Sequence, residues 1–142
     1  MVNSQNYAVA VILETPEGFP LISDPHKPLP HYWKFPGGRS QPGETPLTTA
    51  IRELKEETGV SVPPREMKLV HEETRAASGA GHGFFVFHAR RRHAVKLLER
   101  GAGGETVKFF TRDQLKTLPD LFPNHRALAE ATIFKKKLES RN

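Results

Sequence analysis

Residues Gly38 to Val60 read GRSQPGETPLTTAIRELKEETGV and contain both ends of a predicted helix. Thr45 followed by Pro46 is typical of a helix N-cap with proline in the first turn. Gly59 suits the left-handed residue that often ends a helix. The segment therefore predicts a helix from Pro46 to Thr58.

This helix is predicted to have one packing side and one acidic side. At about 100° per residue, the side chains that suit a core fall together, namely Leu47, Ile51, Leu54 and Thr58. The carboxylates of Glu53, Glu56 and Glu57 cluster on the far side. Such a cluster is either a solvated face or a set of oxygen ligands for a hard cation such as Mg²⁺ or Mn²⁺. Spacing alone allows both, although repulsion near the helix C-terminus calls for a compensating positive charge.

The residues around these glutamates resemble the Nudix box. That family pattern is G-x5-E-x7-R-E-U-x-E-E-x-G-U, where U is a bulky aliphatic residue. The chain matches it at every specified position, through Gly38, Glu44, Arg52-Glu53-Leu54, Glu56-Glu57 and Gly59-Val60. Seven fixed positions matched at background frequencies near one in twenty arise by chance about once in 10⁹ windows. The lead-in Trp33-x-Phe35-Pro36-Gly37-Gly38 is also similar to that of the family.

The resemblance implies a mixed α/β (α+β) fold, the Nudix α/β/α sandwich, in which a mixed sheet lies between helices. We expect a single Nudix hydrolase domain over residues 1–142, with the box at 38–60. The family cleaves a nucleoside diphosphate linked to another moiety by attack of water on phosphorus, helped by a metal ion. The expected cofactor is Mg²⁺ or Mn²⁺.

The resemblance also gives roles to residues of the box. Glu53, Glu56 and Glu57 would hold the metal, with the backbone carbonyl of Gly38 as an extra ligand. Arg52 would orient these carboxylates, and the alternative is an ordinary i, i+4 ion pair with Glu56.

The same resemblance implies roles for three further residues. Glu44 lies at the start of the helix, where a carboxylate is favourable, so we expect it to stabilise the box loop rather than to bind metal. Gly59 is expected to be structural. The general base is either Glu53 or Glu105, which follows the flexible 101–104 segment and resembles the glutamate that other members supply from a loop. Plain loop surface is the alternative for Glu105.

Hydrophobic patterns predict the remaining elements. Tyr7 to Leu13 and Phe19 to Ser23, separated by a turn-like spacer, indicate a hairpin. The proline-rich stretch Pro25 to Pro36 predicts an ordered loop. Further strands are expected at Lys68 to Arg75, Gly83 to Ala89 and Thr106 to Thr111, and further helices at Asp113 to Leu118 and His125 to Leu138.

Composition limits the classes of protein and partner. The chain has 142 residues, no cysteine and a formal net charge of +5. The absence of cysteine excludes disulfides, thiolate catalysis and a cysteine-bound zinc. No apolar run approaches the ~18 residues of a membrane span and the N-terminus lacks a signal-peptide pattern, so we expect a cytoplasmic protein without a membrane partner. The charge favours anionic partners. We expect a small nucleotide rather than nucleic acid, with the protein either a monomer or a homodimer.

Three other groups of side chains invite a functional interpretation. The seven histidines show no paired zinc-ligand spacing on one helix, and most are expected at the surface or beside the substrate. Arg90-Arg91-Arg92 predicts a solvated strand end, with a phosphate clamp as the alternative. Phe35, Phe84 and Phe85 are expected in the core rather than as base-stacking platforms.

Missing subfamily signatures narrow the substrate. The ADP-ribose type usually has a proline well beyond the box, near the place of Arg75, and the dinucleoside polyphosphate type has a tyrosine slightly further on, whereas no tyrosine follows Tyr32. Elimination leaves the MutT-like group, which converts nucleoside triphosphates to monophosphates and pyrophosphate. The alternatives are hydrolysis of a nucleoside diphosphate sugar or a dinucleoside polyphosphate, or a domain used as a ligand sensor or RNA-binding module. The intact box argues against a sensor or binding module.

Overall fold

The computed structural model describes residues 7–75 and 82–134. Within them lie six β-strands, three α-helices, a 3-10 turn at Pro64–Glu66 and a π-helical turn at Glu130–Phe134. The strands are β1 (Tyr7–Glu14), β2 (Phe19–Ser23), β3 (Gly37–Arg39), β4 (Lys68–Arg75), β5 (His82–Arg90) and β6 (Thr106–Phe110). The helices are α1 (Pro46–Thr58), α2 (Arg112–Thr117) and α3 (Pro123–Ala129).

The described strands form two sheets, of which the larger is mixed. Its order is β3-β1-β5-β4. β1 and β5 run parallel, from the pair Tyr7 and Gly83 to the pair Glu14 and Arg90, whereas β3 and β4 are antiparallel to their neighbours. β2 and β6 form a separate antiparallel pair. The prediction of a mixed sheet is confirmed.

The hairpin predicted for β1 and β2 is wrong. The turn between them is tight, because the backbone N–H groups of Thr15 and Gly18 each donate to the carbonyl of the other, at 3.0 and 3.1 Å. Beyond this turn the strands separate. β1 pairs with β3 and β5, whereas β2 leaves this sheet. Its residues Phe19 and Leu21 pack in the core on one face of the sheet. A turn signal is local, but strand pairing is chosen by distant segments.

A hydrophobic core lies on each face of the mixed sheet. Alternate residues of β1 face opposite cores, so that Ala10 and Ile12 belong to one and Val9 and Val11 to the other. α2, α3 and the β2–β6 pair cover the first core, and α1 covers the second. The predicted sandwich with helices on both faces is confirmed. The expected core positions of three phenylalanines are also observed, with Phe35 and Phe84 buried and Phe85 partly buried.

The predicted ends of α1 agree with the structure. The Thr45 hydroxyl accepts a hydrogen bond from the N–H of Thr48 at 3.2 Å. Gly59 adopts a φ of 88° at the other end, and its N–H donates to the carbonyl of Lys55. Strong local capping signals explain this agreement.

The helices after β6 differ from their predicted bounds. Thr111, predicted as the last strand residue, caps α2 instead, so α2 begins one residue earlier than expected. α3 begins at Pro123 rather than His125, because proline is favourable in the first turn of a helix. The same helix was predicted to continue to Leu138, but the residues after 134 lie outside the described part of the chain. Residues 1–6 lie outside it as well. None of the described helices is long and apolar enough to cross a membrane.

Candidate active site

β3 lies so close to β1 and to α1 that two of its positions require glycine. A Cβ at Gly37 would lie 2.0 Å from the carbonyl oxygen of Val9, and a Cβ at Gly38 would lie 2.4 Å from Glu53 Oε2. The N–H of Gly37 donates to Glu57 Oε1 at 2.8 Å. The two consecutive glycines therefore place two carboxylates of α1 beside the same short strand.

Glu57 is buried, with 9% of the residue exposed. Its predicted position on the side of α1 away from the packing surface is wrong, because the helix turns this residue towards β3. Burial, only partly opposed by the hydrogen bond from Gly37, raises the pKa of Glu57 to about 8. The charges of Glu53 and Glu105 raise it further. No lysine or arginine within 7–75 and 82–134 forms an ion pair with Glu57.

The other two acidic residues of α1 differ in exposure. The Glu53 side chain is 13% exposed and that of Glu56 is 46% exposed. Arg52 Nη1 lies 3.3 Å from Glu53 and 3.2 Å from Glu56. Burial raises the pKa of Glu53, although the charge of Arg52 opposes the shift. Glu53 therefore joins Glu57 in the interior, whereas Glu56 lies at the rim.

Arg52 is held chiefly by Glu44. Its Nε and Nη2 atoms reach the two carboxylate oxygens of Glu44 at 2.5 and 3.0 Å, a two-point contact. The hydrogen bonds from Arg52 are the main cause that lowers the pKa of Glu44 to about 2. Glu44 Oε1 also accepts from the N–H of Gln41 and from the hydroxyl of Thr49, both at 2.8 Å. The loop before α1 and the arginine on α1 are thus joined through one carboxylate.

A glycine-rich loop brings Glu105 to the C-terminal end of α1. The N–H of Ala102 donates to the carbonyl of Glu56 at 2.9 Å. A Cβ at Gly101 would meet Glu105 Oε1 at 2.4 Å and the Glu57 carbonyl oxygen at 3.0 Å. The N–H of Gly103 donates to Glu105 Oε1 at 3.0 Å. The loop therefore packs its backbone on α1 and places the Glu105 carboxylate beside Glu57.

Comparison with known proteins agrees with this geometry. A family model described as the NUDIX domain matches residues 4–131. The chain belongs to the Nudix family. Its domain is a Nudix domain, as the motif predicts. Gly38 and the glutamates of α1 belong to the Nudix box, Gly37 comes directly before the box, and Glu105 lies in a separate loop.

Individual relatives cover this Nudix domain to different extents. The human "8-oxo-dGDP phosphatase NUDT18" is 30% identical over 77% of this chain and 33% of its own length. The mouse "Nucleoside diphosphate-linked moiety X motif 6" is 41% identical over 43% of this chain and 19% of its own length. The chain thus spans a third or less of these relatives. The crystal structure of a MutT protein from Methanosarcina mazei Go1 has the same fold, with a TM-score of 0.72 at 16% identity, covering 93% and 95% of the two chains.

The Nudix site has the donor chemistry that a hard divalent cation needs. Among the described residues, no three carboxylate or imidazole side chains already converge as ligands on one point. The donor atoms near Gly37 and Gly38 are nevertheless carboxylate oxygens, which Mg²⁺ and Mn²⁺ prefer. Glu57 is buried, forms no ion pair with a residue of the described ranges, and lies in the field of Glu53 and Glu105. A buried carboxylate in such surroundings is stabilised by a bound cation.

One histidine behind the site is buried, contrary to the expectation from the sequence. His125, expected at the surface or beside the substrate, is 8% exposed. Its Nδ1 accepts a hydrogen bond from the N–H of Phe35 at 2.9 Å, and its ring stacks on that of Phe35 at 5.7 Å. Burial lowers the pKa of His125 to about 4, and the charge of Lys34 contributes. The apolar Leu128 and Ala129, three and four residues further on, are the signal that places His125 on the buried face.

Proposed function

We propose that this Nudix domain hydrolyses nucleoside triphosphates to nucleoside monophosphates and pyrophosphate, and that it requires Mg²⁺ or Mn²⁺. The observation that carries the proposal is the buried Glu57, which lies against Gly37 with Glu53 and Glu105 nearby and without an ion pair to a described residue. An arrangement of acidic groups with perturbed pKa values is typical of a functional site. The missing tyrosine and proline signatures favour triphosphates over the other Nudix substrates.

The ligands of the cation would be Glu53, Glu56, Glu57 and the backbone carbonyl of Gly38. When bound, the cation supplies charge neutralisation on the phosphates and acidifies water. The role proposed for Arg52 is to orient Glu53 and Glu56, and the role of Glu44 is to fix Arg52 through its two-point contact. Glu44 is itself engaged by the loop before α1, so it stays outside the ligand set.

We assign the general base to Glu105, with Glu53 as the alternative. Glu53 is engaged by Arg52 and belongs to the proposed ligand set, which leaves its carboxylate less able to accept a proton. Glu105 comes from a separate loop, and its carboxylate lies beside Glu57. In this assignment Glu105 accepts the proton of the attacking water.

The two candidates are separated by comparing E105Q with E53Q. Loss of a general base is expected to lower kcat by roughly 10² to 10⁴ while leaving metal affinity unchanged. Loss of a ligand is expected to weaken Mn²⁺ binding as well. If E105Q weakens Mn²⁺ binding as much as E53Q does, or leaves kcat unchanged, the assignment of the base to Glu105 is wrong.

A second candidate function is hydrolysis of a nucleoside diphosphate. The relative NUDT18, which is 30% identical over 77% of this chain, is named as an 8-oxo-dGDP phosphatase. Nucleoside diphosphate sugars and dinucleoside polyphosphates are further alternatives, and a binding module is the alternative that involves no reaction.

The proposed reaction is tested with purified protein, Mg²⁺ and a panel of nucleoside triphosphates, 8-oxo-dGDP, ADP-ribose, diadenosine polyphosphates and UDP-sugars. Phosphorus NMR of the products distinguishes pyrophosphate from orthophosphate. We expect pyrophosphate from a triphosphate, and turnover at least about a hundredfold lower in E57Q. E72Q, a control that changes an exposed glutamate on β4, is expected to keep full turnover. Orthophosphate from a diphosphate would replace the first candidate with the second.

A further inference from the structure

A basic groove lies at the β4 edge of the mixed sheet, opposite the edge formed by β3. It has a volume of about 350 Å³ and is lined by Glu66, Lys68, His88, Ala89, Arg90 and Arg92. Lys68 on β4 and His88 on β5 are direct cross-strand neighbours. In the sheet order, β1 and β5 separate β4 from the strand β3 that carries Gly37 and Gly38. With strands about 4.8 Å apart, β3 and β4 are about 14 Å apart.

The carboxylates in and around the groove are already engaged. Glu14 is in contact with His88 at 3.1 Å, with Arg90 at 3.3 Å and with Arg112 at 3.0 Å. Glu66 lies 3.2 Å from Arg91. Among the residues that the structure describes, the groove and the side chains paired with its charged groups include five permanent cations but two carboxylates, the cations being Lys68, Arg90, Arg91, Arg92 and Arg112.

Two of the cations have no such partner. Lys68 and Arg92 are exposed, and neither forms an ion pair with a residue in the described part of the chain. Arg90 shares Glu14 with other cations, and its side chain is 56% exposed. Guanidinium and ammonium groups that line one concave surface are well suited to phosphate oxygens, which accept several charge-assisted hydrogen bonds.

We propose that this groove is a second binding site, separate from the Nudix box, for a small anion with two or more phosphate groups. Lys68, Arg90 and Arg92 would donate to the phosphate oxygens. The volume suits a ligand of nucleotide or pyrophosphate size, which lies at the lower end of ordinary small-molecule pockets. In this proposal Arg90 and Arg92, which line the groove, bind phosphate. Arg91 instead forms an ion pair with Glu66 and donates a hydrogen bond to the carbonyl of Ser61.

The test is a titration of the complete chain with pyrophosphate, followed by ¹⁵N NMR in the presence of EDTA. EDTA removes divalent cations and so weakens any binding of pyrophosphate at the Nudix box. We expect the amides of Ala89 and Arg90 to shift with saturation, and those of Gly37 and Gly38 to stay in place. Shifts confined to Gly37 and Gly38 would overturn the proposal, as would no saturable shift at all.

The matched variants are K68E/R92E and K96E/K116E, which change the net charge equally. Lys96 and Lys116 are exposed and do not line the groove. We expect K68E/R92E to weaken pyrophosphate binding by about tenfold or more and the control to weaken it by less than about twofold. Equal losses in both variants would show that only net charge matters, which contradicts a defined site.

Two further measurements fix the ligand class and the independence of the groove. A single-stranded oligonucleotide that binds more than about tenfold tighter than pyrophosphate would replace the small anion with a nucleic-acid strand. Nucleotide hydrolysis by K68E/R92E is expected to equal that of the wild type, because the groove lies at the opposite edge of the sheet from β3, which carries Gly37 and Gly38. A large loss of kcat in this variant would show that the groove belongs to the reaction site and would overturn the proposal of a second site.

Discussion

At the residue scale, the site depends on two neighbouring glycines that have different tasks. Gly37 is pressed against the backbone of β1, since a Cβ there would lie 2.0 Å from the carbonyl oxygen of Val9. Gly38 is pressed against the end of the Glu53 side chain instead. A backbone neighbour cannot move without distorting the sheet, whereas a carboxylate can rotate away. The same substitution at the two positions therefore has different consequences.

We predict that G37A unfolds the protein and that G38A keeps the fold but loses metal affinity. The overlap in G37A forces β3 away from β1 and is expected to cost more than about 4 kcal/mol in the free energy of unfolding. G38A displaces the Glu53 carboxylate and is expected to weaken Mn²⁺ binding by about tenfold. Thermal unfolding and Mn²⁺ titration of both variants measure the two effects. Wild-type Mn²⁺ affinity in G38A would show that Glu53 is not a ligand of the cation.

Arg52 offers a second comparison at this scale. R52K keeps the positive charge but removes the two-point contact with Glu44. We expect kcat to fall by about tenfold in R52K, with a smaller change in melting temperature, because the carboxylates lose their orientation rather than their counter-charge. E44Q is expected to produce the same pattern, since it removes the partner of the same contact. An unchanged kcat in R52K would favour the simpler function of an ion pair.

The sequence was informative about which residues gather and less so about their exposure. Helical spacing alone put Glu53, Glu56 and Glu57 on one acidic side of α1. In the structure Glu57 turns inward, because the two glycines of β3 leave room for a carboxylate to which the N–H of Gly37 donates a hydrogen bond. That space is created by β3, which precedes α1 and is not part of the helical pattern of apolar residues.

At the scale of elements, α3 is joined to the segment before β3 through His125. The bond from Phe35 N–H to His125 Nδ1 requires an unprotonated Nδ1, and the ring is buried between Phe35 and Phe122. α3 therefore supports the strand segment that leads into Gly37 and Gly38. Protonation of His125 is incompatible with this arrangement.

The free energy of unfolding is predicted to decrease as the pH is lowered, because of His125. Its pKa is lowered from 6.5 to about 4 in the folded chain. Above pH 6.5 both states are neutral and the full stability is present, whereas at lower pH the unfolded chain takes up a proton that the folded chain does not. The loss grows as the pH falls and amounts to about 3 kcal/mol by pH 4.

H125N is the control for this pH dependence, because its amide oxygen can replace Nδ1 as an acceptor but does not titrate. Urea unfolding at a series of pH values between 7 and 4 gives the free energy for both proteins. We expect the wild type to lose about 3 kcal/mol more than H125N over this range. A constant difference between the two proteins would mean that His125 titrates alike in the folded and unfolded states.

Prediction of the elements succeeded where the signals are local. The bounds of α1 follow from Thr45, Pro46 and Gly59, and β4 has the bounds predicted for it. The pairing of β2 with β6 could not be derived in this way, because the two strands are separated by most of the chain. The sequence between β1 and β2 indicates a turn, but it carries no information about the partner.

At the scale of the whole molecule, one sheet connects two cores. β1 contributes alternate side chains to both, and α1 lies on one face while α2 and α3 lie on the other. The prediction of a single domain follows from this shared sheet. Neither core can lose its packing without exposing residues of β1.

We therefore expect the chain to unfold in a single cooperative transition. Trp33, the one tryptophan in the sequence, packs against the core that contains α2 and α3 and reports on that core. Far-UV circular dichroism reports on all elements, including α1. Coincident denaturation curves from the two signals are expected, and two separated midpoints would contradict a single domain.

The family and the sandwich were predictable from the sequence because the box is a dense motif with a fixed structure. The basic groove was not, since Lys68 and Arg90 line one surface only when β4 and β5 pair. The substrate is the least determined feature, because the carboxylates would bind a cation, and that cation would contact phosphates that many nucleotides share. It stays a proposal that rests on missing signatures and on the names of relatives.

The central claim is that the carboxylates around Gly37 and Gly38 hold a divalent cation. Its most direct test is a titration of the metal-free protein with Mn²⁺, in which electron paramagnetic resonance measures the free ion. We predict saturable binding to the wild type and to E72Q, with affinity at least about tenfold lower in folded E57Q. Equal Mn²⁺ affinity in the wild type and E57Q, or no saturable binding to either, would contradict the claim.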